Sequence, residues 1–113
     1  MTTYTTQTLV SNVVYSGTDA FVSNAVPAAN YYGGQGAIQT LLFNLTGFQG
    51  NITIQATLND LQESAPWFEI ANIVAANAVT TTTSNSVVGN FTWIRAEITD
   101  FAAGNINVIS ASY

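Results

Sequence analysis

Few residues of this chain have side chains that could carry out chemistry. Arg95 is the only basic residue among 113, and there is no Lys, His or Cys. A nucleophilic Ser or Thr needs a base that takes its proton, and His or Lys usually fills that role. Zinc sites built from nitrogen and sulfur ligands are also excluded, because the chain has no His and no Cys. Only carboxylates remain as candidate catalytic groups.

Two pairs of acidic residues are close enough in sequence to be considered together. They are Asp60 with Glu63, and Glu97 with Asp100. A glycosidase needs two carboxyl groups that face each other across a cleft. If the segment around Glu97 is a strand, Glu97 shares a face with Arg95, and an ion pair is the simpler interpretation. We therefore predict that the protein is not an enzyme.

A calcium site near Asp60 stays open as an alternative, because oxygen-bearing side chains cluster there. The spacing of an EF-hand loop is absent, however. We predict no cofactor and no metal site.

The formal net charge of −5 decides against two classes of partner. Binding of DNA or RNA through phosphates needs several Lys or Arg residues, and so does attraction to an anionic membrane. We expect neither nucleic acid nor a membrane as a partner. Residues 1–10 lack the basic start and apolar block of a signal peptide, so we expect synthesis in a cytoplasm.

The shortage of charge indicates a surface that neighbouring subunits cover. Only 6% of the residues are charged, whereas an ordinary soluble domain has about 25%. Copies of such a chain repel one another weakly, and we predict a homo-oligomer. The alternative is a small secreted domain that its hydroxyl and amide groups keep soluble.

The elements that must position these residues are short β-strands in one domain, residues 1–113. Residues 51–58 and 90–99 alternate between apolar and polar side chains, which is typical of strands. One face of the second segment carries Thr92, Ile94, Ala96 and Ile98, and the other carries Phe91, Trp93, Arg95 and Glu97.

Turn-forming residues divide the chain further. The apolar run 37–45 and the strand 51–58 are predicted to form a hairpin around a loop at residues 46–50. Residues 80–85 are predicted as an exposed extended loop, and the chain turns again at Gly104. The pattern predicts an all-β protein, a single jelly-roll-like β-sandwich of about seven or eight short antiparallel strands. Residues 1–12 are predicted to form an extended arm or an edge strand.

The aromatic residues suggest contacts with partners. Trp67 and Trp93 could form a platform for stacking sugars, or they could pack within the sheet or against another subunit. Two tyrosines lie beside glycines in a predicted loop. The candidate interface residues are Tyr4, Tyr31, Tyr32, Trp67, Trp93 and Arg95.

Three segments together resemble small virion proteins of tailed bacteriophages. They are NITIQATLNDLQESAPWFEI at residues 51–70, GNFTWIRAEIT at 89–99 and AGNINVI at 103–109. The resemblance implies a β-sandwich bound to a capsid or a tail, made in the host cytoplasm and located in the virion.

From this resemblance we predict a capsid decoration or cement protein. It would bind major capsid subunits, other virion proteins or its own copies through residues 1–12, 28–36 and 80–85. A tail, baseplate or fibre component is one alternative. A carbohydrate-binding β-sandwich module is another, and a glycosidase built on paired carboxylates is the weakest.

Overall fold

A computed structural model describes residues 6–17, 20–28, 38–58, 66–89 and 91–113 of the chain. Within these residues the protein is all-β, as predicted, and contains no helix. Six strands form one antiparallel sheet in the order β1-β6-β4-β5, and β2 and β3 also pair with β6. The strands are β1, Thr6–Val14; β2, Phe21–Val22; β3, Val26–Pro27; β4, Ile38–Thr57; β5, Phe68–Val88; and β6, Trp93–Ser112.

The three long strands replace several short ones that the sequence predicted. The hairpin of residues 37–45 and 51–58 is wrong, because residues 38–45 and 51–57 both belong to β4, which continues through residues 46–50. Residues 80–85 lie within β5 rather than in a loop, and Gly104 lies within β6 rather than at a turn. A sandwich of seven or eight short strands is therefore not confirmed.

Bulges explain why these glycines do not reverse the chain. Gly47 and Gly50 have φ of 60° and 153°, and the pairing of β4 with β5 shifts register on both sides of Phe48. A bulge adds a residue to one strand, bends it and increases its twist without ending it. The same residue types therefore serve as bends inside one strand.

The bends fold the sheet over on itself. A straight strand of 20 residues would span about 66 Å, but the longest dimension of the molecule is 39 Å. Tyr113 follows β6 and donates its hydroxyl to the carbonyl oxygen of Pro27 at 2.7 Å. Pro27 pairs with Trp93, the first residue of β6. The two ends of β6 therefore lie within the reach of one side chain.

One face of the folded sheet forms the core. In β4 the buried apolar residues have odd numbers before the bulge and even numbers after it, so the extra residue keeps the same face inward. The buried apolar residues of β4 are Leu41, Phe43, Leu45, Phe48, Ile52, Ile54 and Ala56.

The predicted alternation is confirmed within the strands, with two corrections. Phe91 was expected on the same face as Trp93, but it is 8% exposed and belongs to the core, because it precedes β6, which begins at Trp93. Ile94, Ala96 and Ile98 are fully buried, and their neighbours on the other face are partly exposed. Leu58 was expected to share the inner face of its strand, but it is 62% exposed. The reason is that β4 ends at Thr57, so the alternation no longer applies to Leu58.

The side chain of Ser23 connects β2 and β3 to β6. Its Oγ accepts a hydrogen bond at 2.8 Å from the backbone N–H of Ala96, a fully buried residue. We expect Ser23→Ala to lower the free energy of unfolding by about 1–3 kcal/mol, because that N–H loses its acceptor. Urea unfolding measures the loss. Ser23→Thr keeps the hydroxyl and serves as the control, and equal stability of the Ala variant and the parent would contradict the assignment.

Candidate functional site

Strand β5 forms one edge of the sheet along its full length. It pairs with β4 on one side, and no strand of the described ranges pairs with its other side. β5 has 21 residues, whereas a strand in a globular protein averages about 5–6. An edge strand presents a row of backbone N–H and C=O groups to which another strand can bind.

The second half of β5 is exposed between Val79 and Val87, two partly buried residues that pack against the core. We call residues 80–86, with the sequence TTTTSNS, the edge segment. All seven residues of the edge segment are exposed, so both of its faces meet solvent. Thr81 and Thr83 pair with Leu45 and Phe43, which are buried. At these positions the core therefore ends at β4, and the edge segment is the outermost part of the sheet.

In the part of the chain that the structure describes, the edge of β5 lacks three features that usually prevent edge-to-edge association. Native edge strands are blunted by charged side chains, especially Lys, by Pro, or by being short. Glu69 is the only charged residue of β5, and it is the second residue of the strand. Val74 and Val88 add apolar side chains that are 68% and 72% exposed. This composition permits another strand to pair here.

A second feature, on the outer face of the sheet, holds the single cation of the chain. The guanidinium carbon of Arg95 lies 4.2 Å from the centre of the Trp67 ring. Arg95 Nε donates a hydrogen bond at 2.7 Å to Oε1 of Gln55, its partner on β4. Among the described residues, Arg95 contacts Trp67 and Gln55, and the predicted ion pair with Glu97 is not formed. A cation over an aromatic face is stabilising by about 0.5–1 kcal/mol at an exposed site.

The other predicted interface residues divide into two groups. Trp93 begins β6, two residues before Arg95, and is partly exposed. Tyr4, Tyr31 and Tyr32 lie outside the described residues.

The three predicted contact segments lie in different parts of the structure. Residues 80–85 lie in the edge segment, and residues 6–12 lie in β1, at the opposite side of the sheet. Segment 28–36 is described only at Ala28, which is fully buried and donates its N–H to the carbonyl of Thr92. Ala28 therefore belongs to the core, contrary to the prediction.

A small pocket beside the bend of β6 was not predicted from the sequence. It has a volume of about 210 Å³ and is lined by Val13, Val14, Ser16, Phe21 and Phe101. Among the described residues, its lining offers one hydroxyl and four apolar side chains. The pocket has room for one apolar side chain.

The acidic residues that were predicted as pairs are described only in part. Asp60 and Glu63 lie outside them. Asp100, at a bulge with φ of 52°, accepts a hydrogen bond from Nδ2 of Asn51 at 3.1 Å. No group of three or more His, Cys, Asp or Glu among the described residues could hold a metal ion. None of these ranges contains a helix long and apolar enough to cross a membrane.

Comparison with protein-family models, curated proteins and solved structures finds no match to the chain. Its function is therefore inferred from the geometry of the edge and of the outer face.

Proposed function

We propose that this protein is a non-enzymatic structural component of a larger particle. It acts by burying the edge of β5 and the adjacent low-charge surface against neighbouring subunits. The observation that carries the proposal is an edge strand of 21 residues that contains the edge segment, which is uncharged and exposed on both faces. A partner that adds a strand to such an edge gains affinity from main-chain hydrogen bonds.

The chemistry of the edge segment suits burial in an interface. Thr, Ser and Asn side chains replace their hydrogen bonds to water with hydrogen bonds to a partner. Burial of an ion costs several kcal/mol that its partner only partly offsets. The edge segment contains no charged residue, so its burial avoids that cost. A contact of this kind can be weak in isolation and still hold a particle together when it is repeated many times.

We propose further that the particle is the virion of a tailed bacteriophage and that the protein is a capsid decoration or cement protein. It would be made in the host cytoplasm and would bind major capsid subunits, other virion proteins or its own copies. Support comes from the low-charge surface and from the resemblance of three segments to virion proteins. Parts of two of these segments pair directly, because residues 51–57 of β4 lie beside residues 93–99 of β6.

The fold proposed for this role is a two-layered sandwich made from one folded sheet. Each long strand would then contribute one half to each layer. The hydrogen bond from Tyr113 to Pro27 and the single buried face on both sides of the bulges support this arrangement.

A carbohydrate-binding module is the rival function, and the position of Arg95 weighs against it. A sugar stacks on an open aromatic face, but the guanidinium of Arg95 covers one face of Trp67. This contact favours a structural role for Trp67.

The proposal predicts that the chain is present in purified phage particles at a fixed ratio to the major capsid protein. Quantitative mass spectrometry tests this. The digest should use chymotrypsin, because Arg95 is the only trypsin site and the chain has 13 aromatic residues, namely 6 Phe, 5 Tyr and 2 Trp. A copy number close to that of the capsid subunit supports decoration, and a few copies per particle support a tail, baseplate or fibre component. Loss of the chain from particles purified to constant composition would contradict the proposal.

A further inference from the structure

We infer that the partner at the β5 edge is the β5 edge of a second copy, paired antiparallel about a two-fold axis within the edge segment. The inference rests on the proposed function and deepens it, since it names one subunit that covers the edge. Three observations support it: the position of the only charge on β5, the composition of the edge segment, and the state of the opposite edge of the sheet.

The position of Glu69 selects the direction of pairing. It is the only charge on β5 and lies at the start of the strand, far from the edge segment. In a parallel, in-register pair the two Glu69 side chains would be neighbours, and like charges directly opposite are destabilising. In an antiparallel pair centred on the edge segment they lie at opposite ends. Antiparallel pairing therefore removes the one repulsive contact that the strand could make with itself.

The edge segment is complementary to itself. Each of its seven side chains is a hydroxyl or an amide, so reversal of the strand still places a hydroxyl or amide opposite a hydroxyl or amide. Cross-strand hydroxyl pairs of this type contribute about 0.2–1 kcal/mol each. The sheet already contains such pairs. Thr40 Oγ1 lies 3.1 Å from Ser86 Oγ, and Thr6 Oγ1 lies 3.0 Å from Ser112 Oγ.

The opposite edge of the sheet is a poorer partner for β5. β1 has 9 residues, fewer than half of the 21 in β5. β3 lies against β1, and the hydrogen bond from Tyr113 to Pro27 fastens the chain on this side. Pairing of β5 with β1 of another copy would also join the copies head to tail, which produces either an open filament or a closed ring. Pairing of β5 with itself closes at two copies.

Cysteine scanning of the edge segment tests the inference, because the chain has no Cys of its own. Seven variants each carry one Cys, at positions 80 to 86. A disulfide needs Cα atoms about 4.4–6.8 Å apart, and the same residue of two antiparallel strands comes that close only near the axis. We expect mild oxidation to give covalent dimers at one or two neighbouring positions and little at the rest. Thr8→Cys on β1, which is also exposed, is the control and should not cross-link.

A charge at the same place supplies a second readout. Thr83→Lys puts two cations close to the axis of the pair, and we expect a roughly two- to fivefold weaker self-association by light scattering. Thr8→Lys is the matched control and should associate as the parent does. Circular dichroism verifies that each variant folds; the two positions are exposed, so no core contact changes.

Each other outcome overturns the inference in a recognisable way. Cross-linking at all seven positions would indicate parallel, in-register pairing. Cross-links between a Cys at position 83 and one at position 8 in a mixture would indicate pairing of β5 with β1. A chain that neither associates nor cross-links would leave β5 to a different protein. In all three cases the proposed function is decided separately, by whether the chain is present in purified particles.

Discussion

Gly104→Ala is expected to unfold most of the protein, or to lower its free energy of unfolding by about 4 kcal/mol or more. Gly104 has φ of 87°, and a Cβ atom there would overlap the backbone carbonyl of Gly47 and lie 2.6 Å from the N of Phe48. These are backbone atoms of a paired strand, so they cannot rotate away as a side chain would. Since small domains are stable by only about 5–15 kcal/mol, this loss is a large part of the total.

Gly17→Ala is the matched control for that variant. Gly17 also has positive φ, at 103°, but a Cβ atom there would meet nothing within 4 Å. Only the backbone strain remains, and we expect a loss of about 1–2 kcal/mol. Urea unfolding of both variants separates the free-energy cost of backbone strain from the cost of the steric overlap between β6 and β4. Equal losses would contradict the claim that this contact determines where the sheet bends.

Phe101→Ala is expected to cost about 3–5 kcal/mol of stability. Phe101 is 2% exposed and lies at the bend of β6. Its ring centre is 5.3 Å from that of Tyr15, 6.4 Å from that of Phe21 and 5.4 Å from that of Phe48. Removal of the ring leaves a cavity beside the existing pocket, and the surrounding strands, joined by hydrogen bonds, can close it only in part.

Phe68→Ala is the control, because the same ring is deleted where it is less buried. Phe68 is 41% exposed and contacts the ring of Phe91 at 5.9 Å. We expect a loss of about 1–2 kcal/mol, in proportion to the smaller apolar area that it buries. Thermal or urea unfolding compares the two variants. A loss at Phe68 as large as the loss at Phe101 would mean that the aromatic cluster does not stabilise the bend.

The class of the fold was predictable because strand alternation is a local pattern. Ile52 and Ile54 alternate with polar residues along β4. Ile94, Ala96 and Ile98 alternate with their neighbours along β6 in the same way. A period of two residues identifies a strand with one buried face, and all of these residues are fully buried.

The continuity of the long strands was beyond sequence analysis. Glycines such as Gly47 and Gly50 have the same local preferences in a tight turn and in a bulge, since both need positive φ. The close approach of Gly104 on β6 to Gly47 on β4 favours the bulge over the tight turn. That contact joins residues far apart in sequence, so no local window contains it.

The candidate site was predictable in composition but not in arrangement. The run at residues 80–85 was expected to be exposed and to make contacts, and it is exposed, but its pairing with β4 makes it a strand. Because of that pairing, the polar run is part of an edge strand and not a loop. Arg95 was expected to form an ion pair with a carboxylate, either within its own strand or across to a neighbouring strand. The ring of Trp67 and the amide of Gln55 are brought to it by other segments of the chain.

Cryo-electron microscopy of the native particle, at a resolution that traces individual strands, tests the central claim most directly. We predict that a strand from a neighbouring subunit lies alongside β5 and is hydrogen-bonded to it within the edge segment. An edge segment that faces solvent in every copy of the chain would contradict the account.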